Sequence, residues 1–347
     1  MPLLVAAPDK FRGTATAGEV AGAIERAASS RGWTVRPVPV SDGGEGLLET
    51  YDEPGSRLRT TTVTGPLGDP VEALWRVDGN RAVVEMSRAS GLVLAGGAER
   101  NDPVNATTRG TGELMVAAAA AVGRQGTVVV GLGGSATTDG GWGAIGAVEE
   151  AGGLGGVSLI GACDVQTTFI EAAAVFAPQK GATSRQVLEL EDRLRTVADR
   201  YQADYGVDVR GLPGAGAAGG LGGALVALGG RLQSGYELVA DLVGLRRRLD
   251  GAQVVVTGEG SLDRTSFAGK VVGGIVRDAS TLGVPVLVIA GRVADGVETE
   301  VDDRRVHVVS LVREFGERRA VEETVACIET AVAESLDRFA PGEIGFR

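Results

Sequence analysis

Thr127-Val128-Val129-Val130, followed at once by Gly131-Leu132-Gly133-Gly134-Ser135-Ala136-Thr137-Thr138-Asp139-Gly140-Gly141, decides the fold class. The first four residues are a β-branched apolar run of strand length. The glycines that follow end the strand, and the chain then opens into a helical pattern. Strand, glycine-rich loop and helix in that order form the building block of an α/β protein with a parallel sheet covered on both faces.

The same rhythm recurs outward from this stretch. Leu3–Ala7 runs into Pro8-Asp9, and Thr16 with Glu19 forms a capping box ahead of a helix over Val20–Ser29. Val35–Val40 ends at Ser41-Asp42-Gly43-Gly44-Glu45-Gly46, and Gln253–Val256 ends at Thr257-Gly258-Glu259-Gly260. Val284–Ala290 ends at Gly291-Arg292, and Val306–Leu311 precedes a terminal helix over 320–339. Two stretches break the rhythm. Thr60–Val77 and Arg81–Met86 read as β-rich around the turn Thr64–Pro70. Ser158–Val165 and Ala172–Phe176 read as strands before a helix over Ser184–Tyr201. The expectation is two dissimilar α/β domains. A flavodoxin-like one with a mostly parallel sheet takes 1–60, 105–155 and 240–347. A smaller mixed-sheet domain, inserted into it, takes 61–104 and 156–239.

Composition narrows the chemistry. The 347 residues carry 34 Lys and Arg against 45 Asp and Glu, a net charge of −11 with no basic stripe, which argues against nucleic acid as a partner. No apolar stretch reaches the ~20 residues of a membrane span, and Pro2-Leu3-Leu4-Val5 is too short for the core of a signal peptide. Cys163 and Cys327 have neither disulfide-framework nor metal-ligand spacing, so a cytoplasmic location is expected. His307 is the one histidine and sits in an apolar run as a strand residue, which nearly excludes His-based triads and His-rich metal sites. Carboxylates, Lys, Arg, hydroxyls and backbone amides must then carry any reaction.

Several loops offer such groups. Glycines in 131–141 let backbone N–H groups approach an anion, Ser135 and the threonines add hydroxyl donors, and Asp139 suits either a bridging cation or a helix cap. Asp42 and Glu45, at a strand end, suit a general base, a metal ligand or plain turn chemistry. Lys270, just inside a helix after Thr257–Asp263, suits a point charge on a phosphoryl group. Asn105–Gly112 reads as an anion loop or as a helix cap. Lys180, in Ala177–Ala182, reads as a surface lysine or a carboxylate clamp, and Asp9-Lys10-Phe11-Arg12-Gly13 is a similar case. Gly214-Ala215-Gly216-Ala217-Ala218-Gly219 spells a dinucleotide fingerprint without the preceding strand that the fingerprint requires, so it reads as close packing or a ligand-facing loop. A Walker-A loop is absent: Val271 follows Gly269-Lys270.

Jointly these segments resemble the type I glycerate kinase family over nearly the whole chain. The resemblance rests on Ala7–Gly13, Asp42–Gly46, Thr64–Gly68, Gly133–Gly141, Cys163–Val165, Pro178–Ala182, Gly214–Gly220 and Thr257–Gly260, in that order. It implies ATP- and Mg²⁺-dependent phosphorylation of D-glycerate in a cleft between two α/β domains. On that reading Gly133, Gly134, Ser135, Ala136 and Thr137 hold the nucleotide's phosphates, while Asp139 and Glu259 hold the metal. Lys270 neutralises charge, Asp42 or Asp164 takes the proton, and Lys10, Arg12, Thr108 and Lys180 bind the substrate. This chain differs from the usual pattern at Lys10–Thr14, at Gln166–Phe169, and in a short 151–161 region. A catalytically impaired binder of nucleotide or hydroxy acid is the first rival reading, and a nicotinamide-dependent oxidoreductase is the second. A homo-oligomer stays open.

Overall fold

The structure, a computed structural model, describes residues 1–52, 55–267, 270–297 and 305–339. Its strands are β1 Leu3–Ala6, β2 Thr34–Pro37, β3 Arg57–Thr64, β4 Pro70–Asp78, β5 Arg81–Glu85, β6 Thr127–Gly131, β7 Ser158–Ala162, β8 Arg231–Gln233, β9 Val254–Leu262, β10 Val286–Val293 and β11 Val306–Ser310. The chain divides into two compact units. The first comprises Met1–Asp42, Glu49–Tyr51 and Tyr236–Arg347, and the second Gly43–Leu48 and Asp52–Gly235.

In the first unit five strands pair in the order β11-β10-β9-β1-β2, all parallel. Taken in chain order within the unit this is the flavodoxin-like 2-1-3-4-5 arrangement, whose order reverses between β1 and β9. Such sheets bind ligands beyond the strand carboxyl ends at that reversal. The helix Ala17–Ser30 begins with the capping box that its sequence predicts, Thr16 accepting from the Glu19 N–H and Glu19 from the Thr16 N–H. Ile24, Val256, Ile289 and Ile328 fill the core of this unit. His307 pairs with Leu287 in register, as a strand residue should.

The second unit holds a six-stranded sheet, β3-β4-β5-β6-β7-β8, antiparallel from β3 to β5 and parallel from β5 to β8. Its core joins Leu114 and Ile145 to Phe169, Leu194 and Tyr201. The 105–155 segment, expected beside the parallel sheet, groups instead with the second unit. Strand β6 completes its ladders with β5 on one side and β7 on the other. Residues 172–176, expected as a strand, belong to a helix, Glu171–Phe176. Three consecutive alanines favour that outcome. Strands β9 and β10 also run past their expected glycine stops, because Ser261 and Leu262 keep pairing with Arg292 and Val293. Among the described residues no helix is long and apolar enough to cross a membrane.

Candidate active-site residues in each unit

At the carboxyl ends of β1 and β9 a cavity of about 440 Å³ opens in the first unit. Asp9, Asp42 and Glu259 line it together with Lys10, Arg12 and Lys270. The Thr257 hydroxyl donates to the Ala7 carbonyl at 2.8 Å, and the Asp9 N–H donates to the Gly258 carbonyl at 2.9 Å. These bonds fix the two strand ends against each other. Lys10 Nζ stands 3.8 Å from Asp42 Oδ1, and Lys270 Nζ donates to Thr265 Oγ1 at 2.8 Å. Arg12 is exposed at the rim. Gly269, beside Lys270 in the sequence, lies outside the described residues.

Asp9 was not singled out as a site residue by its sequence, yet it is the most perturbed acid of this cavity. It is 8% exposed, and burial pushes its carboxyl up to about 7. The nearby Asp42 charge adds to the rise, while Lys10 offsets part of it through its charge and its N–H bond to Asp9 Oδ1 at 2.7 Å. Burial also raises Glu259, which keeps a buried Oε1 without a hydrogen-bond partner among the described residues. A carboxyl held near neutrality beside a fixed charge is the usual setting of a general base. The signal in the sequence was a Pro-Asp pair closing a buried strand.

The second unit carries the remaining sequence-selected residues. After β6 the loop 132–141 runs with the N–H groups of Gly133, Gly134, Ser135, Thr137 and Thr138 donating to no acceptor among the described residues. Ala136 differs: fully buried, it donates to the Ser90 carbonyl. A run of unengaged backbone donors after a strand has the chemistry to receive an anion. The glycine-rich segment 214–220 braces the loop from behind. Gly219, at φ +69°, lies so near that a Cβ there would come within 2.0 Å of the Thr137 carbonyl oxygen. Its own carbonyl accepts the Gly140 N–H. This places the segment as close packing.

Three substrate or metal expectations in this unit meet a different environment. The Asp139 carboxylate accepts from the N–H groups of Gly141, Gly143 and Thr108 and from the Thr108 hydroxyl. With four donors it ties the first turn of the helix Trp142–Glu150 to Thr108, which leaves little for a cation. Thr108 is fully buried and also accepts the Ala144 N–H, so its hydroxyl is committed inside the protein. Lys180 is 3% exposed and donates to the Thr137 carbonyl at 2.6 Å, a buried group rather than a surface clamp. Asp164 accepts from the Ser234 hydroxyl and the Gly235 N–H. It therefore lies in the second unit, whereas Asp42 lies in the first.

Among the described residues no group of three or more His, Cys, Asp and Glu is arranged to hold a metal ion. A Mg²⁺ ion, however, commonly takes one or two carboxylates and completes its shell with phosphate oxygens and water. The unpartnered oxygen of Glu259 fits that donor set better than the saturated Asp139.

Comparison with known proteins agrees over the length of the chain. The model of the glycerate kinase family matches residues 4–152 and 149–340. The chain is 38% identical to the glycerate 2-kinase of Escherichia coli strain K12 over 335 residues, which is 85% of this chain and 86% of that protein. It is 38% identical to the glycerate kinase of Bacillus subtilis strain 168 over 328 residues, 84% and 85% of the two chains. The solved structure of a glycerate kinase 2 from Salmonella typhimurium LT2 superposes with a TM-score of 0.76 at 33% identity, covering 96% of this chain and 98% of that one. The family model spans nearly the whole chain and the identities hold over most of it, so this chain belongs to the glycerate kinase family.

Proposed function

We infer that this protein transfers the terminal phosphoryl group of ATP to the 2-hydroxyl of D-glycerate. The observation that carries the reading is the cavity at the ends of β1 and β9. There a buried carboxyl, two further acids and three cationic side chains line one space. A small hydroxy acid needs a cation for its carboxylate and a base for its hydroxyl, and that cavity supplies both. In the second unit the unengaged N–H groups of loop 133–138 suit the phosphates of a nucleotide. The 2-position follows the name of the Escherichia coli relative, glycerate 2-kinase.

On this reading Asp9, with Asp42 beside it, takes the proton of the hydroxyl as its oxygen bonds to phosphorus and ADP leaves. Lys10, Arg12 and Lys270 offer positive charge to the substrate carboxylate and to the transferring group. Phosphoryl transfer needs chiefly positioning and charge neutralisation, which explains how a chain with one strand histidine can perform it. Glu259 is the residue suited to hold Mg²⁺, which when bound shields the phosphate oxygens.

A coupled assay of ADP release with D-glycerate, run against a panel of small hydroxy acids, tests the reading. Phosphorus NMR of the product identifies the position modified. Turnover selective for D-glycerate, with 2-phosphoglycerate formed, is the expected result. Binding of ATP without turnover of any hydroxy acid would assign the chain to the impaired-binder class instead.

A further inference from the structure

Lys180 is out of place for a lysine. It is 97% removed from solvent and has no carboxylate within salt-bridge distance among the described residues, although its ammonium carries three donors. The described residues give it one acceptor, the Thr137 carbonyl at 2.6 Å. Among the described residues Asp139 is the charge that acts on the ammonium, and its carboxylate is already saturated by four donors. The polar surroundings are incomplete in the same place. The hydroxyls of Thr137 and Thr138 and the Oδ1 of Asn101 are buried and have no partner among the described residues. Asn101 Nδ2, for its part, bridges the carbonyls of Ala136 and Lys180 at 3.0 and 2.9 Å. That bridge ties the lysine's backbone to the loop.

A buried ammonium lacking an anionic partner is costly, and nothing in the packing of this unit requires one. The cost becomes intelligible if the partner is a ligand. The carbonyl that Lys180 holds belongs to the loop whose N–H groups at 133–135, 137 and 138 lack acceptors among the described residues.

We propose that Lys180 is the cationic floor of an anion site formed by loop 133–138. From beneath, it fixes the Thr137 carbonyl inward and places a buried positive charge behind the amides that receive the phosphates of a nucleoside diphosphate or triphosphate. This rests on reading the loop as a phosphate site and makes Lys180 a positioning residue, in place of a ligand of the glycerate carboxylate. Burial lowers the ammonium to about 7, with Asp139 acting in the opposite direction. A bound polyanion favours the charged form, so binding draws a proton onto the protein at mildly alkaline pH.

The test is calorimetric titration of the full chain with ADP and, as control, with adenosine, at about pH 8, where the diphosphate is ionised, in buffers of differing ionisation enthalpy. Lys180→Met and Lys180→Arg are titrated beside the wild type. Wild type is expected to take up close to one proton per ADP bound. Lys180→Met is expected to lose roughly tenfold or more in ADP affinity and to lose the proton uptake, with adenosine binding unchanged. Lys180→Arg, charged throughout, should recover part of the affinity without uptake. Equal ADP affinity in wild type and Lys180→Met overturns the proposal, as does wild-type binding without proton uptake. The second measurement stands even if the Met variant does not fold. Absence of glycerate turnover, with Lys180-dependent ADP binding intact, would instead count against the proposed reaction and leave this site standing.

Discussion

Tyr201 donates its hydroxyl to the carbonyl of Gly140 at 2.8 Å, linking the helix Ser184–Tyr205 to the far end of loop 132–141. The ring is fully buried, with Phe169 edge-on at 5.9 Å between centroids. Burial holds the phenol well above its ordinary range, so it stays a donor at every working pH. Removing the hydroxyl leaves a buried carbonyl without a partner and changes little else. Tyr201→Phe is expected to lower stability by about 1–3 kcal/mol. Urea unfolding should show a lower midpoint with an unchanged slope. A slope change would mean that the packing, rather than one bond, had been altered.

Thr108 offers a sharper choice between structure and substrate. If its hydroxyl serves Asp139 and Ala144, as the 2.8 and 3.0 Å contacts indicate, then Thr108→Val removes a buried partner of a carboxylate. The expected result is a loss of about 2–3 kcal/mol in stability with KM for glycerate little changed. A substrate ligand would behave in the opposite way, with KM raised and the unfolding midpoint preserved. Measuring both on one variant separates the two roles.

These outcomes bear on how far the sequence can be read. Strand and helix positions were legible wherever a local rule acted: the apolar run Thr127–Val130, and the Thr16–Glu19 box that opens its helix as predicted. The allocation of 105–155 was not. Which sheet β6 joins depends on its ladders with β5 and β7, and those pairings leave no local mark on a strand buried on both faces. The site divides similarly. Glycine loops at strand ends announced themselves, but two of the four bonds to Asp139 come from Thr108 and the bond of Lys180 goes to Thr137, neighbours too distant in sequence to be read locally. Asp9 escaped notice because the burial that chiefly perturbs it, and the charge of Asp42 that adds to it, arise only when distant parts of the chain pack together.

Gly219 is the backbone position on which loop 132–141 leans. Its φ of +69° disfavours any side chain, and a Cβ would collide with the Thr137 carbonyl at 2.0 Å. Since the Cβ is fixed by its own backbone and the oxygen belongs to backbone, no side-chain rotation relieves the clash. Gly219→Ala is expected to cost at least about 2–3 kcal/mol through strain and displacement of the loop. Nucleotide affinity should fall with it. By contrast Gly152, at φ +79° with open space around it, should lose only about 1 kcal/mol as Ala. Thermal unfolding of the two variants tests the ranking. Equal losses would show that the loop does not depend on this contact.

Asp9 gives the pH-dependent prediction. Its carboxyl rises from an ordinary 3.8 to about 7 in the folded protein, by burial first and the Asp42 charge second, against the opposing charge of Lys10. In the unfolded chain it is already ionised through that window, so the folded state binds more protons between about 4 and 7 and stability falls as pH rises across it. Asp9→Asn removes this penalty. The variant should therefore gain on wild type by a few kcal/mol above about pH 7, and the gap should close as pH falls toward about 4. Activity should move the other way. A base must be ionised to act, so wild-type kcat/KM is expected to rise through an acid limb near the Asp9 value. Asp9→Asn should lose about 10²–10⁴-fold in kcat with a small change in KM. A stabilised variant that had lost its turnover would identify Asp9 as a group held at a cost for chemistry. If Asp9→Asn kept full kcat with the acid limb in place, the proton would have to go to one of the other two acids of the cavity, Asp42, which faces Lys10, or Glu259.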